Sequence, residues 1–247
     1  MNLWTSSAAR TQPSVERIFR PADATAPFPY QEAYKTLRTN LKFMALGGDY
    51  RRILVTGAIQ GEGKSSVSAN LALVLAETEN RVLLIDCDLR KPILHRYLRL
   101  QRRQGRGLLG ALAGMPLENC IQHAARYNID VMTVDFTPPN PTELLGSPKM
   151  KQLLEQLAAQ YDYLILDAPP AAVVTDAAVL SQYSDGVLLV IRQRYATFQQ
   201  VRRAVENLRQ VNANILGAVL NSYRPEGPRA ERELYTYYYS EHPHRPE

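Results

Sequence analysis

The sequence predicts an α/β fold, a single domain built on a parallel β-sheet with helices on both of its faces. Short, continuously apolar segments alternate with amphipathic ones between residues 31 and 222. Continuous apolar strands are typical of parallel sheets that are covered on both sides. A chain of 247 residues with 45% hydrophobic content can also bury one sizeable core. We therefore expect one domain at 31–222.

The two ends of the chain lack the periodicity that the centre shows. Residues 1–30 contain four prolines and no sustained apolar pattern, which predicts a flexible N-terminal arm. Residues 223–247 are rich in Pro, Arg and Tyr, and no core-forming pattern occurs in them. We expect this segment to be a flexible, exposed tail.

Apolar spacing places the elements between these ends. The first helix starts at Gln31, and its apolar stripe is formed by Tyr34, Leu37, Leu41 and Met44. Strands are expected at 53–56, 82–85, 129–134, 163–166, 187–191 and 215–220, and further helices at 65–78, 147–160 and between the last two strands.

Bulk properties leave the partner class open. The net charge of +5 suits contact with phosphates, a membrane or an acidic partner and selects none of them. The five arginines between Arg96 and Arg106 form either a solvated basic loop or a contact surface. The two cysteines, Cys87 and Cys120, have no metal-ligand spacing and fit a reducing cytoplasm. No apolar run approaches the ~20 residues that span a bilayer, so we expect any membrane link to come through another chain.

A glycine-rich segment lies between the first predicted strand and the helix after it. It reads Gly57-Ala58-Ile59-Gln60-Gly61-Glu62-Gly63-Lys64-Ser65-Ser66. Glycines here let successive backbone N–H groups point at phosphate oxygens, and the helix start adds the positive end of its dipole. In such a loop Lys64 reaches the β- and γ-phosphates and the Ser65 hydroxyl binds Mg²⁺. Residues Gln60, Gly61, Glu62, Gly63, Lys64, Ser65 and Ser66 are thus predicted to bind ATP, although Ala58 stands where the general pattern has glycine.

Aspartates follow two of the predicted strands. Asp86 and Asp88 come directly after the second strand, and Asp167 follows the strand at 163–166. Because carboxyl ends of parallel strands line the ligand crevice, these side chains should face the glycine-rich loop. One such aspartate is often only a turn former or a helix cap. Three beside the loop, together with Ser65, predict a magnesium site.

Tyrosines are concentrated near the C-terminus, at Tyr235, Tyr237, Tyr238 and Tyr239. Three adjacent residues cannot share one buried face of a strand or a helix, which argues against docking on the domain. The residues alone leave docking and phosphorylation both open. In the first helix, Glu32, Lys35 and Arg38 are three apart, and their spacing alone predicts an exposed ladder of ion pairs.

These segments together resemble the bacterial tyrosine kinases of capsule and exopolysaccharide synthesis, and among them the stand-alone cytoplasmic kinase subunits. The resemblance covers about residues 30–240. It rests on Glu-Ala-Tyr-Lys-Thr-Leu-Arg-Thr-Asn-Leu from Glu32, Gly-Glu-Gly-Lys-Ser-Ser from Gly61, Leu-Ile-Asp-Cys-Asp-Leu-Arg-Lys-Pro from Leu84, Pro-Pro-Asn-Pro-Thr-Glu-Leu-Leu from Pro138, Leu-Asp-Ala-Pro-Pro from Leu166, and the tyrosine cluster.

The resemblance assigns roles by position. Lys64 and Ser65 match the Walker A lysine and hydroxyl, Asp86 and Asp88 match the Walker A′ motif, and Asp167 matches the Walker B aspartate. It implies that Asp86, or as second choice Asp88, deprotonates the tyrosine, while Lys64 offsets the charge on the transferred phosphoryl group. Gln60 replaces a proline that is usual in the family.

The resemblance also implies how subunits assemble. Glu32, Lys35 and Arg38 fall on the interface motif of a homo-oligomeric ring, with Lys35 in place of an arginine, which loses bidentate pairing. The four tail tyrosines would be phosphoacceptors for neighbouring subunits, and each phosphate adds about −1.5 to −2 charges that loosen the ring. The implied partners are a membrane-spanning polysaccharide co-polymerase and protein tyrosine substrates, with no nucleic acid. The implied place is the cytoplasm, at the inner face of the membrane through that partner.

Two other functions fit parts of the pattern. A deviant Walker partitioning-type ATPase shares the sheet, Lys64-Ser65 and the strand-end aspartates, but carries a lysine where this chain has Ile59. A non-catalytic nucleotide-gated scaffold would need the nucleotide site alone. An iron–sulphur carrier would need clustered cysteines, which this composition lacks.

Overall fold

The structure, a computed structural model, describes residues 19–44, 50–102 and 104–224. Its strands are β1 (Arg52–Gly57), β2 (Val82–Asp86), β3 (Gln122–Ala124), β4 (Ile129–Met132), β5 (Tyr163–Asp167), β6 (Gly186–Arg192) and β7 (Ile215–Asn221). Its helices are α1 (Phe28–Met44), α2 (Lys64–Ala76), α3 (Leu94–Tyr97), α4 (Leu108–Leu112), α5 (Leu117–Cys120), α6 (Pro141–Leu145), α7 (Pro148–Ala158), α8 (Asp176–Ser181) and α9 (Phe198–Gln210).

The strands form one sheet in the order β3-β4-β2-β5-β1-β6-β7. All neighbouring pairs are parallel except β3 with β4, so the predicted α/β class and the predicted parallel sheet are confirmed. The antiparallel edge strand β3 was not foreseen, because three residues are too few to show a strand period. The strand expected at 129–134 ends at Met132.

Each central strand contributes to two separate cores. In β2, Leu83 and Ile85 belong to the cluster that contains α7 and α9, whereas Val82 and Leu84 belong to the cluster that contains α1 and α2. Alternate residues of a strand point to opposite faces, so a strand that is apolar throughout is buried on both sides. This two-sided burial explains why the strands appear in the sequence as continuous apolar runs.

Part of the expected N-terminal arm packs on the domain. The Phe19 ring stacks on the Tyr97 ring with their centroids 5.0 Å apart, and Ala22 is buried. Helix α1 begins at Phe28, three residues before the predicted start at Gln31. The segment predicted as a flexible arm up to residue 30 therefore contacts the domain over residues 19–30, through Phe19, Ala22 and Ala26, while Phe28 is 46% exposed. Residues 1–18 lie outside the described residues.

One buried side chain holds this N-terminal segment on α2. Asn70 accepts the Ala22 N–H (2.7 Å), and its amide donates to the Arg20 carbonyl (3.0 Å) and to the Tyr30 hydroxyl (3.0 Å). Three polar groups of the segment are therefore satisfied by a single amide, which the sequence pattern did not indicate.

We expect Asn70→Ala to lower the free energy of unfolding by roughly 1–3 kcal/mol, because the buried Ala22 N–H loses its acceptor. Cleavage within residues 19–30 should also become faster in limited proteolysis. Chemical denaturation and mass mapping of the cleavage products measure the two effects.

Asn80→Ala is the matched control, since the Asn80 amide donates to the Leu75 carbonyl (2.8 Å) at the far end of α2. If both variants were cleaved within residues 19–30 at the same rate, the role given to Asn70 would be wrong.

Candidate active site

The glycine-rich loop has the strand and the helix that the sequence predicted on either side of it. β1 ends at Gly57 and α2 begins at Lys64. Gly61 (φ 92°) and Gly63 (φ 88°) both adopt the left-handed region that favours glycine. These two turns curl the backbone of the loop onto the first turn of α2, where free N–H groups and the helix dipole favour an anion.

The residue before Ala58 is a closely packed glycine. A Cβ added to Gly57 would lie 2.6 Å from Glu62 Oε2 and 2.9 Å from the Val190 carbonyl oxygen. Ala58 itself is fully buried without such a requirement. The position that must remain glycine on the strand side of the loop is therefore Gly57.

The ends of β6 and β7 hold the loop from one side. Arg192 donates to the Gly61 carbonyl (3.2 Å), and its guanidinium lies 4.9 Å from the centroid of the Tyr195 ring. Asn221 donates to the Glu62 carbonyl (2.7 Å). The sequence analysis missed these residues. Their place at the carboxyl ends of two strands was the available signal.

Two predicted nucleotide-binding residues use their side chains for other contacts. Glu62 is fully buried, and its Oε2 accepts the Ile59 N–H at 2.9 Å. Gln60 Oε1 accepts from Lys91 Nζ at 2.8 Å. At these positions the backbone N–H groups are therefore the groups that remain for a phosphate.

The carboxylates of Asp86 and Asp167 lie at the ends of neighbouring strands. The two residues are register partners in the β2–β5 pair, and both are fully buried. Asp167 Oδ1 accepts from the Ser68 hydroxyl at 3.0 Å, and Oδ2 is buried with no hydrogen-bond partner among the described residues. Ser68 lies one helical turn after Lys64 and was not singled out from the sequence.

Burial makes both carboxylates resist ionisation. Burial and then the charge of Asp167 raise the pKa of Asp86 well above its ordinary value of 3.8. Burial raises the pKa of Asp167 to about 6, and the positive charge of Lys64 and the nearby Ser65 hydroxyl limit that rise. Two carboxylates beside each other in a dry site favour binding of a cation.

Asp86 also stabilises the turn after β2, which is the structural role that the sequence allowed for an aspartate at a strand end. Its Oδ1 accepts the Asp88 N–H (3.2 Å), and its Oδ2 accepts the N–H groups of Ile93 and Leu94 (3.2 Å each). Asp88 is only partly buried, and its Oδ1 accepts the Lys91 N–H at 3.0 Å. Asp86 thus fixes the backbone that follows β2, while Asp88 remains accessible.

The donor set fits a magnesium ion that also binds phosphates. Within the part of the chain that the structure describes, no three His, Cys, Asp or Glu side chains could hold a metal ion by themselves. The three predicted aspartates therefore do not form a metal site by themselves. Both oxygens of Asp86 already accept hydrogen bonds from backbone N–H groups. The unpartnered Asp167 Oδ2 and the nearby Ser65 hydroxyl are suitable oxygen donors, since Mg²⁺ is commonly held by one or two carboxylates together with substrate phosphates.

Comparison with known proteins places this site in a family. A family model described as "ParA: NUBPL iron-transfer P-loop NTPase" matches residues 50–242. The chain is 36% identical over 221 residues to the tyrosine-protein kinase YwqD of Bacillus subtilis (strain 168), a match that covers 90% of this chain and 91% of YwqD. The chain belongs to the bacterial tyrosine-protein kinases. The family and the enzyme class that the sequence predicted are thereby confirmed.

Two further relatives agree with this assignment. The chain is 38% identical over 205 residues to the tyrosine-protein kinase etk of Escherichia coli (strain K12), which covers 83% of this chain but 27% of etk. The solved kinase domain of Escherichia coli ETK superposes with a TM-score of 0.73 at 37% identity, covering 79% of this chain and 78% of that domain. This bacterial tyrosine kinase chain thus spans nearly all of YwqD and about a quarter of etk.

The P-loop fold of the kinase supports the prediction of a nucleotide with magnesium. It does not support the alternative function of a partitioning-type ATPase. P-loop NTPases bind nucleotide with Mg²⁺, so the prediction of a nucleotide with magnesium is confirmed at that level. A solved septum-site-determining protein MinD from Pyrococcus horikoshii OT3 shares the fold at 21% identity with a TM-score of 0.61. At that identity the likeness shows the fold alone.

Both cysteines of the kinase, Cys87 and Cys120, are free and buried.

The residues predicted for the ring interface have partners within the chain. Lys35 Nζ lies 2.8 Å from Glu32 Oε1, as the spacing of an ion-pair ladder predicts. Arg38 Nη1 instead donates to the Val74 carbonyl (2.5 Å) and to Glu77 (3.1 Å) at the end of α2.

Tyr235, Tyr237, Tyr238 and Tyr239 lie outside the described residues. None of the described helices has both the length and the apolarity needed to cross a membrane.

An ion pair between an exposed arginine and a buried aspartate, also missed from the sequence, fixes the segment after Asp88. Arg90 donates to both carboxylate oxygens of Asp176 (2.8 and 3.0 Å), and Asp176 is fully buried at the start of α8. The Thr142 hydroxyl donates to the same carboxylate at 2.5 Å. The pair links the loop that carries Asp88 to α6 and α8.

We expect Arg90→Gln to lower the free energy of unfolding by roughly 2–4 kcal/mol, because it leaves the buried Asp176 carboxylate without its cation. The double variant Arg90→Gln/Asp176→Asn should recover part of this loss, since no charge is then left buried. Urea denaturation of the two single variants and the double variant measures the coupling. A loss in the double variant equal to the sum of the single losses would contradict the pairing.

Asp167 predicts a pH-dependent stability of the nucleotide-free protein. Its folded pKa of about 6 lies above the ordinary value of 3.8, so the folded state binds the proton more tightly. Stability is therefore lost as the pH rises from about 4 to about 6, and the full penalty remains above pH 6. Asp167→Asn should raise the free energy of unfolding at pH 7.5 by roughly 1–3 kcal/mol and should have little effect at pH 4.

Urea denaturation at a series of pH values measures this difference. Asp162→Asn, at an exposed aspartate beside Arg81, is the control and should show no comparable gain. A loss of stability in Asp167→Asn at pH 7.5 would show that its neighbours stabilise the ionised carboxylate more than burial penalises it.

Proposed function

We propose that this kinase binds Mg·ATP at residues 60–66 and transfers the γ-phosphate to Tyr235, Tyr237, Tyr238 and Tyr239 of neighbouring copies. The observation that carries this proposal is the buried Asp86–Asp167 pair at the mouth of the glycine turns, beside Lys64 and Ser65. The 36% identity to a tyrosine-protein kinase over nearly the whole chain supports the choice of tyrosine as acceptor.

Phosphoryl transfer requires positioning and neutralisation of charge more than covalent chemistry. Lys64, the backbone N–H groups of the loop and the start of α2 bind the phosphates and offset their charge. Ser65 and Asp167 would hold a magnesium ion, which would supply further neutralisation of the phosphate charge.

The tyrosine hydroxyl needs a proton acceptor, because a phenol with a pKa of about 10 is mostly protonated at neutral pH. Both oxygens of Asp86 are engaged and buried, whereas Asp88 is partly exposed two residues further on. Asp88 is thus the carboxylate that an incoming tyrosine reaches without rearrangement of residues 86–94. We therefore place Asp88 before Asp86 as the proton acceptor, which reverses the order implied by the sequence.

Assembly and regulation follow the family expectation. Glu32, Lys35 and Arg38 on α1 contribute to a homo-oligomeric ring in which each tail reaches a neighbouring site. A membrane-spanning polysaccharide co-polymerase activates the kinase and holds it at the inner face of the membrane. Phosphorylation of the tails then loosens the ring and regulates export of exopolysaccharide or capsule, because each phosphate adds about −1.5 to −2 charges.

Incubation of the purified chain with ATP and Mg²⁺, with and without the cytoplasmic segment of the co-polymerase, tests the proposal. Mass spectrometry should find phosphate on the tail tyrosines, and Lys64→Met should abolish it. Lys151→Met, at an exposed lysine on α7, should leave it unchanged. Release of free phosphate with an unmodified tail would instead indicate a partitioning-type ATPase, and nucleotide binding without either reaction would indicate a scaffold.

A further inference from the structure

The segment after α3 presents a strongly basic surface. Residues 89–117 contain seven Arg or Lys residues and no Asp or Glu. Four of these arginines are exposed and are called here the arginine surface: Arg96, Arg99, Arg102 and Arg106. They supply +4 of charge in a chain whose net charge is +5. Because residues 89–117 contain no acidic residue, this segment carries a local excess of positive charge.

Buried neighbours fix the outward direction of this segment. Leu94 and His95, directly before Arg96, and Leu98, between Arg96 and Arg99, are all buried against the domain. The Leu100 N–H donates to the His95 carbonyl at 2.8 Å, which closes the turn after α3. The arginines are consequently held outside by the packing of the residues between them.

The arginine surface lacks the ion pairs that other arginines of this chain make. Arg96, Arg99 and Arg106 make no side-chain hydrogen bond or ion pair with another residue in the described ranges, and Arg102 donates only to the Asp135 carbonyl. By contrast, Arg52 is paired with Asp185 and Arg202 with Glu206. The charge of this segment is therefore available to an anionic partner.

An exposed aromatic side chain adjoins these arginines. Asp135 accepts the Gly105 N–H at 2.6 Å in addition to its contact with Arg102, so the two loops touch. Phe136, the next residue, has 52% of its surface exposed. Basic side chains around an exposed aromatic ring are typical of proteins that bind the interface of an anionic membrane.

We propose that the arginine surface and Phe136 bind directly to an anionic lipid surface, with the arginines on lipid phosphates and the ring at the acyl boundary. Arginine suits this contact, because its planar guanidinium can bind a phosphate through two hydrogen bonds. The contact goes beyond the proposed function, in which only a partner chain links the kinase to the membrane. It requires neither ATP nor phosphoryl transfer, so each proposal can fail without the other.

Co-sedimentation of the full chain with vesicles tests this proposal. Vesicles of phosphatidylcholine with about one third phosphatidylglycerol should bind the protein, vesicles of phosphatidylcholine alone should not, and salt should weaken the binding. Arg96→Gln/Arg99→Gln should reduce the affinity roughly 20-fold, since each basic residue near such a surface contributes roughly a factor of five. Phe136→Ser should reduce it several-fold.

The chain offers matched controls at the opposite end of the sheet. Arg202→Gln/Arg203→Gln removes the same charge from α9, and Phe198→Ser removes a ring that is 80% exposed there. Both should bind as the unchanged protein does. Lys64→Met should also bind normally, which separates this test from the kinase test.

Equal losses in the two double arginine variants would overturn the proposal, because binding would then depend on net charge alone. Absence of vesicle binding would also overturn it. A third result would overturn it: the protein binds a tyrosine-phosphorylated peptide of residues 230–241 but no vesicles, and Arg96→Gln/Arg99→Gln abolishes the peptide binding. The arginine surface would then bind a phosphorylated tail instead of lipid.

Discussion

The pair of carboxylates at the ends of β2 and β5 is the constraint on which the site depends. Asp86 and Asp167 face each other in register without access to water. Such a pair is costly to ionise unless a cation is near, and Lys64 is the cation that the chain itself provides. The magnesium ion of a bound nucleotide would be the second cation. The free energy that burial costs these carboxylates is thus recovered when the metal and phosphates bind.

The glycine loop is held on two sides by parts of the chain that are distant in sequence. On one side β6 and β7 contribute Arg192 and Asn221, which donate to carbonyls of the loop. On the other, Lys91 contacts Gln60 and so joins the loop to the segment after β2. A loop held in this way presents its N–H groups without reorganising for each nucleotide, which is the condition for electrostatic stabilisation of a transferring phosphoryl group. The parallel sheet is what brings these strand ends to one edge.

The sequence predicted what depends on local pattern and on strand order. The six parallel strands, the strand–loop–helix around Lys64 and the meeting of Asp86 with Asp167 all follow from apolar runs and from the rule that strand ends converge. Asn70 and the Arg90–Asp176 pair could not be predicted, because each joins residues 48 to 86 positions apart through side chains that have no periodic signal. Asp86 shows an intermediate case. Its place was predicted, but the three N–H groups that it accepts depend on a turn that only the fold reveals.

The arginine surface and the two proposed proton acceptors, Asp86 and Asp88, belong to one continuous segment. Asp86 accepts the N–H groups of Ile93 and Leu94, and Leu94 begins the helix that carries Arg96. Asp135 and Phe136 follow β4, so they lie at the same carboxyl edge of the sheet as the nucleotide loop. A lipid surface in contact with these residues would lie close to the mouth of the site. Tyrosines would then enter along the membrane plane, from copies bound to the same surface, which favours transfer between neighbouring subunits. The buried Leu94 and Leu98 keep this segment on the core.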